Sequence, residues 1–264
     1  MGYDTILFER DGSVATITLN RPEAMNSLTV ELTKEAAEAV AICENDPAIR
    51  ALIITARGRA FCAGADVRLL TSTTGEGGAR FLYQLADDIH EHVIVPIRRM
   101  AKPVIAGLNG VAVGGGLGLA LSCDFRVAAA EARFNVAYAN IAVSPDGGTS
   151  FFLPRLVGYA RAMELYFFND MLSAEEAQQA GLVNRVVAGH ELLPTAQEMA
   201  QRLASGPTFA FGQTKFLFNR AFMNDLNSHL AEESRSLGLC VSTHDHSAGL
   251  EAFLAKRRPQ FTGE

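Results

Sequence analysis

Several features that mark common function classes are missing from this chain. Lys and Arg number 23 against 29 Asp and Glu, a net charge of −6, and no long basic run occurs. Nucleic-acid binding needs clustered positive charge, so that class is excluded. The short run Lys256-Arg257-Arg258 reads as a solvated face, or as a point that meets a phosphate. The four cysteines, Cys43, Cys62, Cys123 and Cys240, form no C-x-x-C pair. Neither a zinc ribbon nor a thioredoxin-like motif is therefore present, and the cysteines read as buried small hydrophobes in a reducing compartment. No apolar stretch approaches the roughly 20 residues of a membrane span. The N-terminus lacks the basic segment and apolar run of a secretory signal. The expectation is a cytoplasmic protein with no membrane and no nucleic-acid partner. A P-loop and a G-x-S-x-G nucleophile elbow are also lacking. The G-x-G-x-x-G spacing after Gly114 and Gly116 breaks at Leu119.

What is there is apolar and rich in glycine. Of 264 residues, 48% are hydrophobic and 20% charged, a globular composition able to bury a full core. Ile6–Glu9 and Val14–Leu19 flank Asp11-Gly12, a hairpin signal. A helix is predicted from Thr29, with Leu32, Ala36, Ala39, Val40 and Cys43 on one face, ended by Asn45-Asp46-Pro47. Ala51–Thr55 and Pro103–Leu108 read as strands covered on both faces, and Asp124–Ala129 as a further strand. Between them, Thr71–Gly78 reads as a mobile glycine-rich loop before a helix over about Ala79–Met100, with a kink at Pro96. Later signals are helical, with helices near 208–222, 225–241 and 243–255. The reading is a mixed α/β core over 1–205 and a helical region over 206–264, divided at Gly206-Pro207.

Three segments carry chemistry. Arg59-Ala60-Phe61-Cys62-Ala63-Gly64-Ala65-Asp66 places small residues directly after a buried strand, where a ligand can approach the backbone; a tight turn would explain it equally. Asn109 to Gly118 sets Gly114-Gly115-Gly116 at the start of a short helix, whose free N–H groups form an anion site. Ser144-Pro145-Asp146-Gly147-Gly148-Thr149 puts Asp146 in a turn just before a helix. Helix capping is the commonest job for such an aspartate. His90 and His92 lie two apart and do not share a helical face, so no metal pair follows. His244-Asp245-His246 reads as a polar turn or helix start.

In combination these segments resemble the crotonase (enoyl-CoA hydratase/isomerase) superfamily. The matching pieces are Asn20 to Leu28, Ala60 to Asp66, Pro103 to Gly116, Cys123-Asp124, Leu153 to Gly158, Ala177 to Val183 and Phe253 to Arg257, in the family's order along essentially the whole chain. The resemblance implies an α/β spiral of strand–strand–helix repeats with a helical C-terminal region that builds a homotrimer or hexamer. It implies an acyl-CoA substrate, with no separate cofactor and no metal. By position, Ala65 and Gly115 match the two residues whose backbone N–H groups form an oxyanion hole. Glu23, Ala24, Ala63, Ala65, Asp66, Val67, Arg68 and Lys256 are implied as coenzyme A contacts, with Arg21 a further local cation. Apart from the resemblance, Tyr138, Phe151 and Phe152 point to an apolar pocket, although such residues are more often plain core.

The chain departs from the hydratases at both catalytic glutamates, whose positions are held here by Gly118 and Tyr138. Hydration needs one group for water and one for the proton at the α-carbon. With both carboxylates gone, Asp146 is the remaining acid/base, and an isomerase needs only one. The turn around Asp146 resembles that of ring-epoxide and enoyl-CoA isomerases of phenylacetate breakdown. It is also similar to that of 4-chlorobenzoyl-CoA dehalogenase, whose aspartate is a nucleophile and whose preceding helix carries a histidine, near His90 or His92 here. The ordered readings are an isomerase, a hydratase, an aspartate-nucleophile dehalogenase or thioesterase, and a noncatalytic acyl-CoA-binding protein.

Overall fold

A computed structural model describes residues 2–66, 68–69 and 75–264. Val67 and the 71–74 part of the expected glycine-rich loop lie outside the described residues. Among those described, ten strands run β1 (Ile6–Asp11), β2 (Val14–Leu19), β3 (Ala51–Ala56), β4 (Ala60–Cys62), β5 (Val104–Leu108), β6 (Val111–Val113), β7 (Phe125–Ala129), β8 (Arg133–Asn135), β9 (Leu172–Ser173) and β10 (Arg185–Val187). The helices used below are α1 (Val30–Asn45), α2 (Gly75–Ile89), α3 (Val95–Arg99), α4 (Gly115–Ser122), α5 (Thr149–Val157), α6 (Tyr159–Phe167), α7 (Ala174–Gln179), α8 (Leu192–Ala204), α9 (Thr208–Arg220), α10 (Leu226–Val241) and α11 (His244–Leu254).

The strands form two sheets, ordered β1-β2-β3-β5-β7-β10 and β4-β6-β8-β9. β3, β5 and β7 enter the first sheet in parallel, and β4, β6 and β8 enter the second in parallel. Each successive pair is followed by a helix: β3-β4 by α2, β5-β6 by α4, β7-β8 by α5. The expected strand–strand–helix spiral is therefore present, although neither β4 nor β6 was expected as a strand. Each has only three residues, too few to show alternation.

The larger sheet is covered on both sides. Ile53, Ile105 and Val127 point to a stripe of Leu192, Ala196, Ala200 and Ala204 on α8. Their neighbours Leu52, Ile54, Val104, Ala106 and Ala128 point into the main core with Phe61, Leu117 and Phe134. Double coverage is why these strands read as nearly unbroken apolar runs. The four-residue spacing of small side chains on α8 keeps one face flat and lets the helix lie close to the sheet. The expected helix α1 forms, with the Thr29 side chain accepting from the Leu32 N–H as N-cap. The hairpin forms across Gly12-Ser13, where Gly12 has φ 58°.

Two expectations need correction. The helix expected from Ala79 begins at Gly75, so Gly75–Gly78, read as loop, is its first turn. The glycines lower helix propensity, but the following stripe, with buried Leu85 and Ile89, packs against the core and carries the helix. The kink expected at Pro96 is instead a π-helical segment at His90–Ile94, and Pro96 sits in the first turn of α3, where its missing N–H costs nothing. Cys43, Cys62 and Cys123 are buried as expected, whereas Cys240 is only partly so.

Candidate active site

The site is assembled where the Gly64–Asp66 segment, the start of α4 and the turn before α5 converge. Gly64 and Gly114 have φ 81° and 55°, and each turns the chain just before Ala65 and Gly115. Gly115 opens α4, so its N–H has no intrahelical acceptor. Ala65 pairs with Leu28 as an isolated parallel bridge. That bridge is made by Leu28 N–H to Gly64 O and Asp66 N–H to Leu28 O, which leaves the Ala65 N–H facing the other way. The two turns touch: a Cβ on Gly64 would stand 3.1 Å from Val113 O and 3.5 Å from Gly115 N. Backbone this close requires glycine, and it brings two unused N–H donors to one wall.

Asp146 faces that wall. A Cβ on Gly115 would lie 3.3 Å from Asp146 Oδ1. The Tyr138 hydroxyl lies 2.7 Å from Asp146 Oδ1, 3.0 Å from Asp146 O and 3.1 Å from Thr149 Oγ1. Burial first, and then the Asp146 charge, push the Tyr138 phenol well above its ordinary range. The phenol thus stays protonated and acts as a donor that orients the carboxylate, not as a base. The turn is fixed from the other side by His90, whose Nε2 accepts from the Gly147 N–H at 2.9 Å. An accepting Nε2 leaves the ring proton on Nδ1. His90 sits in the π segment, half-buried, and His92 is exposed on the outside of the same segment.

Ala65, Gly115, Tyr138 and Asp146 line a cavity of about 470 Å³ that also includes Leu28, Thr33, Ala63, Leu82, Tyr83, Leu85, Ala86, Ile89 and Ile141. Asp146 is the one carboxylate among the described lining residues. Tyr138, Ala63, Ala65, Gly115 and Asp146, all singled out from sequence, meet here. The turn Pro22–Ala24 carries Glu23 and Ala24, neither of which is among the described residues lining the cavity. It is joined to the second segment by Ala63 N–H to Met25 O. Asp66 accepts from the Arg68 N–H and Nε at 3.0 and 3.2 Å and from Ser27 Oγ at 3.2 Å, and it pairs with Arg21. The Arg68 guanidinium, then that N–H, hold the Asp66 carboxyl down at about 2 despite burial. Arg21 and Arg68 are thus both engaged with Asp66.

Phe151 does not join the cavity. It lines a separate apolar space of about 460 Å³ beneath α9, with the Arg155 guanidinium 3.6 Å from its ring centre. Thr149, which bonds Tyr138, and Phe151 are two residues apart on α5, about 200° of rotation, which turns Phe151 away from the Asp146 side. Lys256 is exposed past the end of α11 and is not among the lining residues. Sequence reasoning left His90 unassigned and overlooked Thr149 and Thr33. A π segment shifts helical register by one residue, so a 3.6-residue count cannot say which of His90 and His92 faces inward.

Residues 9–264 match the enoyl-CoA hydratase/isomerase family. The chain is 39% identical to a 1,2-epoxyphenylacetyl-CoA isomerase of Escherichia coli, over 98% of each chain. It is 37% identical to a crotonyl-CoA hydratase of Syntrophomonas wolfei, over 99% of each. It superposes on the crystal structure of an enoyl-CoA hydratase from Polaromonas with a TM-score of 0.92 at 36% identity, covering 97% of this chain and 99% of that one. With a matched family over nearly its full length, the same fold and relatives well above a third identical, this chain belongs to the enoyl-CoA hydratase/isomerase family.

Proposed function

We propose that this protein is an acyl-CoA isomerase that shifts a double bond, or rearranges a ring epoxide, through a thioester enolate. The observation that carries the reading is a single carboxylate, Asp146, facing two unused backbone N–H groups across an otherwise largely apolar cavity. The Asp146 carboxylate removes a proton from one carbon of the acyl group. The electron pair moves onto the thioester oxygen, where the N–H groups of Ala65 and Gly115 hold the developing charge. In a comparable hole, loss of one donor costs about 3–4 kcal/mol. Asp146 then returns the same proton to a different carbon, so substrate and product have one composition. Tyr138 aims the carboxylate, and Glu23, Ala24, Ala63, Asp66, Val67 and Arg68 form the coenzyme A side. The chemistry needs no resident cofactor. Exposed Phe218, Phe222, Leu226, Leu237 and Phe253 on α9–α11 support self-assembly through the helical region, with a homotrimer as the proposed unit.

A hydratase is the second reading, favoured by the hydratase names of relatives such as that from S. wolfei. Offering 2-enoyl-, 3-enoyl- and aryl-CoA thioesters to the protein and to Asp146→Asn separates the two. Isomerisation that falls about a thousandfold in Asp146→Asn is expected for an acid/base group. Fast hydration of crotonyl-CoA that survives the substitution would overturn the proposal. Halide release, or an acyl group bonded to Asp146, would replace it with nucleophilic chemistry.

A further inference from the structure

The Tyr138 hydroxyl has one proton and three oxygens around it, which are Asp146 Oδ1 at 2.7 Å, Asp146 O at 3.0 Å and Thr149 Oγ1 at 3.1 Å. The Asp146 carbonyl already accepts from the Thr149 N–H at 3.0 Å. A carboxylate oxygen is the strongest acceptor of the three, and the shortest distance is the one to it. The tyrosine proton therefore lies toward Oδ1. Thr149 is 1% exposed, and among the described residues its Oγ1 has Tyr138 as its one hydrogen-bond partner. With the tyrosine proton on Asp146, the threonine must be the donor of that bond. The order is Thr149 O–H to the Tyr138 oxygen, then Tyr138 O–H to Asp146 Oδ1. Tyr138 and Asp146 line the cavity, and Thr149 is not among its described lining residues.

We infer that Thr149 is a positioning residue that, by donating to the Tyr138 oxygen, commits the tyrosine's single proton to the Asp146 carboxylate. The inference rests on the isomerase reading above and extends it one residue behind the cavity wall. A hydroxyl that accepts one hydrogen bond becomes a stronger donor in the next, so the two bonds reinforce each other. Tyr138 then has one direction for its proton, and the Asp146 carboxylate one orientation toward the acyl group. Without the threonine hydroxyl, the buried tyrosine oxygen loses its donor, and its proton is free to turn to the Asp146 carbonyl 3.0 Å away. Serine keeps the hydroxyl, whereas valine keeps the shape and loses the donor.

The test measures 3-enoyl-CoA turnover by the parent, Thr149→Val, Thr149→Ala, Thr149→Ser, Tyr138→Phe, and Tyr138→Phe combined with Thr149→Val. Thr149→Val is expected to lower kcat about three- to tenfold, the worth of one neutral hydrogen bond, with KM nearly unchanged. Thr149→Ala should match it, and Thr149→Ser should keep the parent kcat. In the Tyr138→Phe background, Thr149→Val should lower kcat no further, because the threonine acts only through that phenol. An equal loss in both backgrounds, a loss in Thr149→Ser as large as in Thr149→Val, or a fall confined to KM overturns the inference. An undiminished kcat in both Thr149→Val and Thr149→Ala also overturns it. A second readout needs no turnover. Among the five tyrosines, the Tyr138 C–O stretch is the infrared band lost in Tyr138→Phe, and it reports whether the phenol accepts as well as donates. The band should move in Thr149→Val and stay in Thr149→Ser; a band that stays in Thr149→Val overturns the inference even if kcat falls. If the parent isomerises no thioester, the isomerase reading fails, and the band alone decides the direction of the bond. Missing coupling in an active parent removes the role of Thr149 and leaves that reading standing.

Discussion

Gly118 gives the sharpest test of how the site is built, because helix propensity and tertiary packing predict opposite signs there. It lies inside α4, where alanine in place of glycine should stabilise by about 1 kcal/mol. A Cβ at this position, however, would stand 2.3 Å from Gly147 O, 2.8 Å from Gly147 C and 3.0 Å from Gly147 Cα. Ordinary carbon contacts need about 3.5 Å, so the 146–148 turn must retreat by about 1 Å. Overpacking of this kind costs about 1–3 kcal/mol. Gly118→Ala is therefore expected to melt lower than the parent by about 2–5 °C, from the usual slope for a chain near this size. The same retreat carries Asp146 away from the wall of N–H donors and disturbs the Gly147–His90 bond. Misplacement of a reacting group by 1 Å costs about a hundredfold in rate. Scanning calorimetry and 3-enoyl-CoA turnover measure both effects. A variant that melts higher and keeps its turnover would refute the packing argument. The clash also applies to Gly118→Glu, which restores the hydratases' residue. It is expected to gain no crotonyl-CoA hydration, because the backbone of Gly147 occupies the place where the glutamate stem must stand.

His90 holds the turn from the opposite side, so His90→Ala should lower kcat more than it changes KM, by leaving the buried Gly147 N–H unpaired. His90→Gln returns an acceptor and should recover part of the loss; equal kcat for both variants would show that the acceptor is irrelevant. Asp66 contributes to acid sensitivity where the Arg21–Ser27 and Asp66–Arg68 segments meet. Its carboxyl is held at about 2 in the folded protein, below the ordinary 3.8, so it contributes stability above about pH 4 that is lost as pH falls toward 2. The gap in urea unfolding free energy between the parent and Asp66→Asn should be open near neutrality and close by about pH 2. A gap that does not vary with pH contradicts this.

Much of the architecture was legible because its signals are local. Apolar strands between turn residues, the Thr29 cap, and the Gly12-Ser13 hairpin each follow from a few adjacent side chains. The backbone donors were legible for the same reason, since Gly64-Ala65 and Gly114-Gly115 must be small for the chain to pass so close to itself. The resemblance to the family placed Asp146. It gave no reason for glycine at 118, which became apparent only in the 2.3 Å approach to Gly147.

Phe151 and His90 mark the boundary of local reading. Both stand near Asp146 or the helix after it, but about 200° of rotation from Thr149 takes Phe151 to another cavity, and the π segment turns His90 toward Gly147. By itself, the sequence determined which of the longer segments are strands and helices, where the backbone must be bare, and that Asp146 stands in the turn before α5. Only the tertiary structure decided which histidine buttresses the turn and that Gly118 is needed for the turn to sit where it does. Those outcomes depend on contacts between residues distant in the chain, whose distances no local pattern encodes.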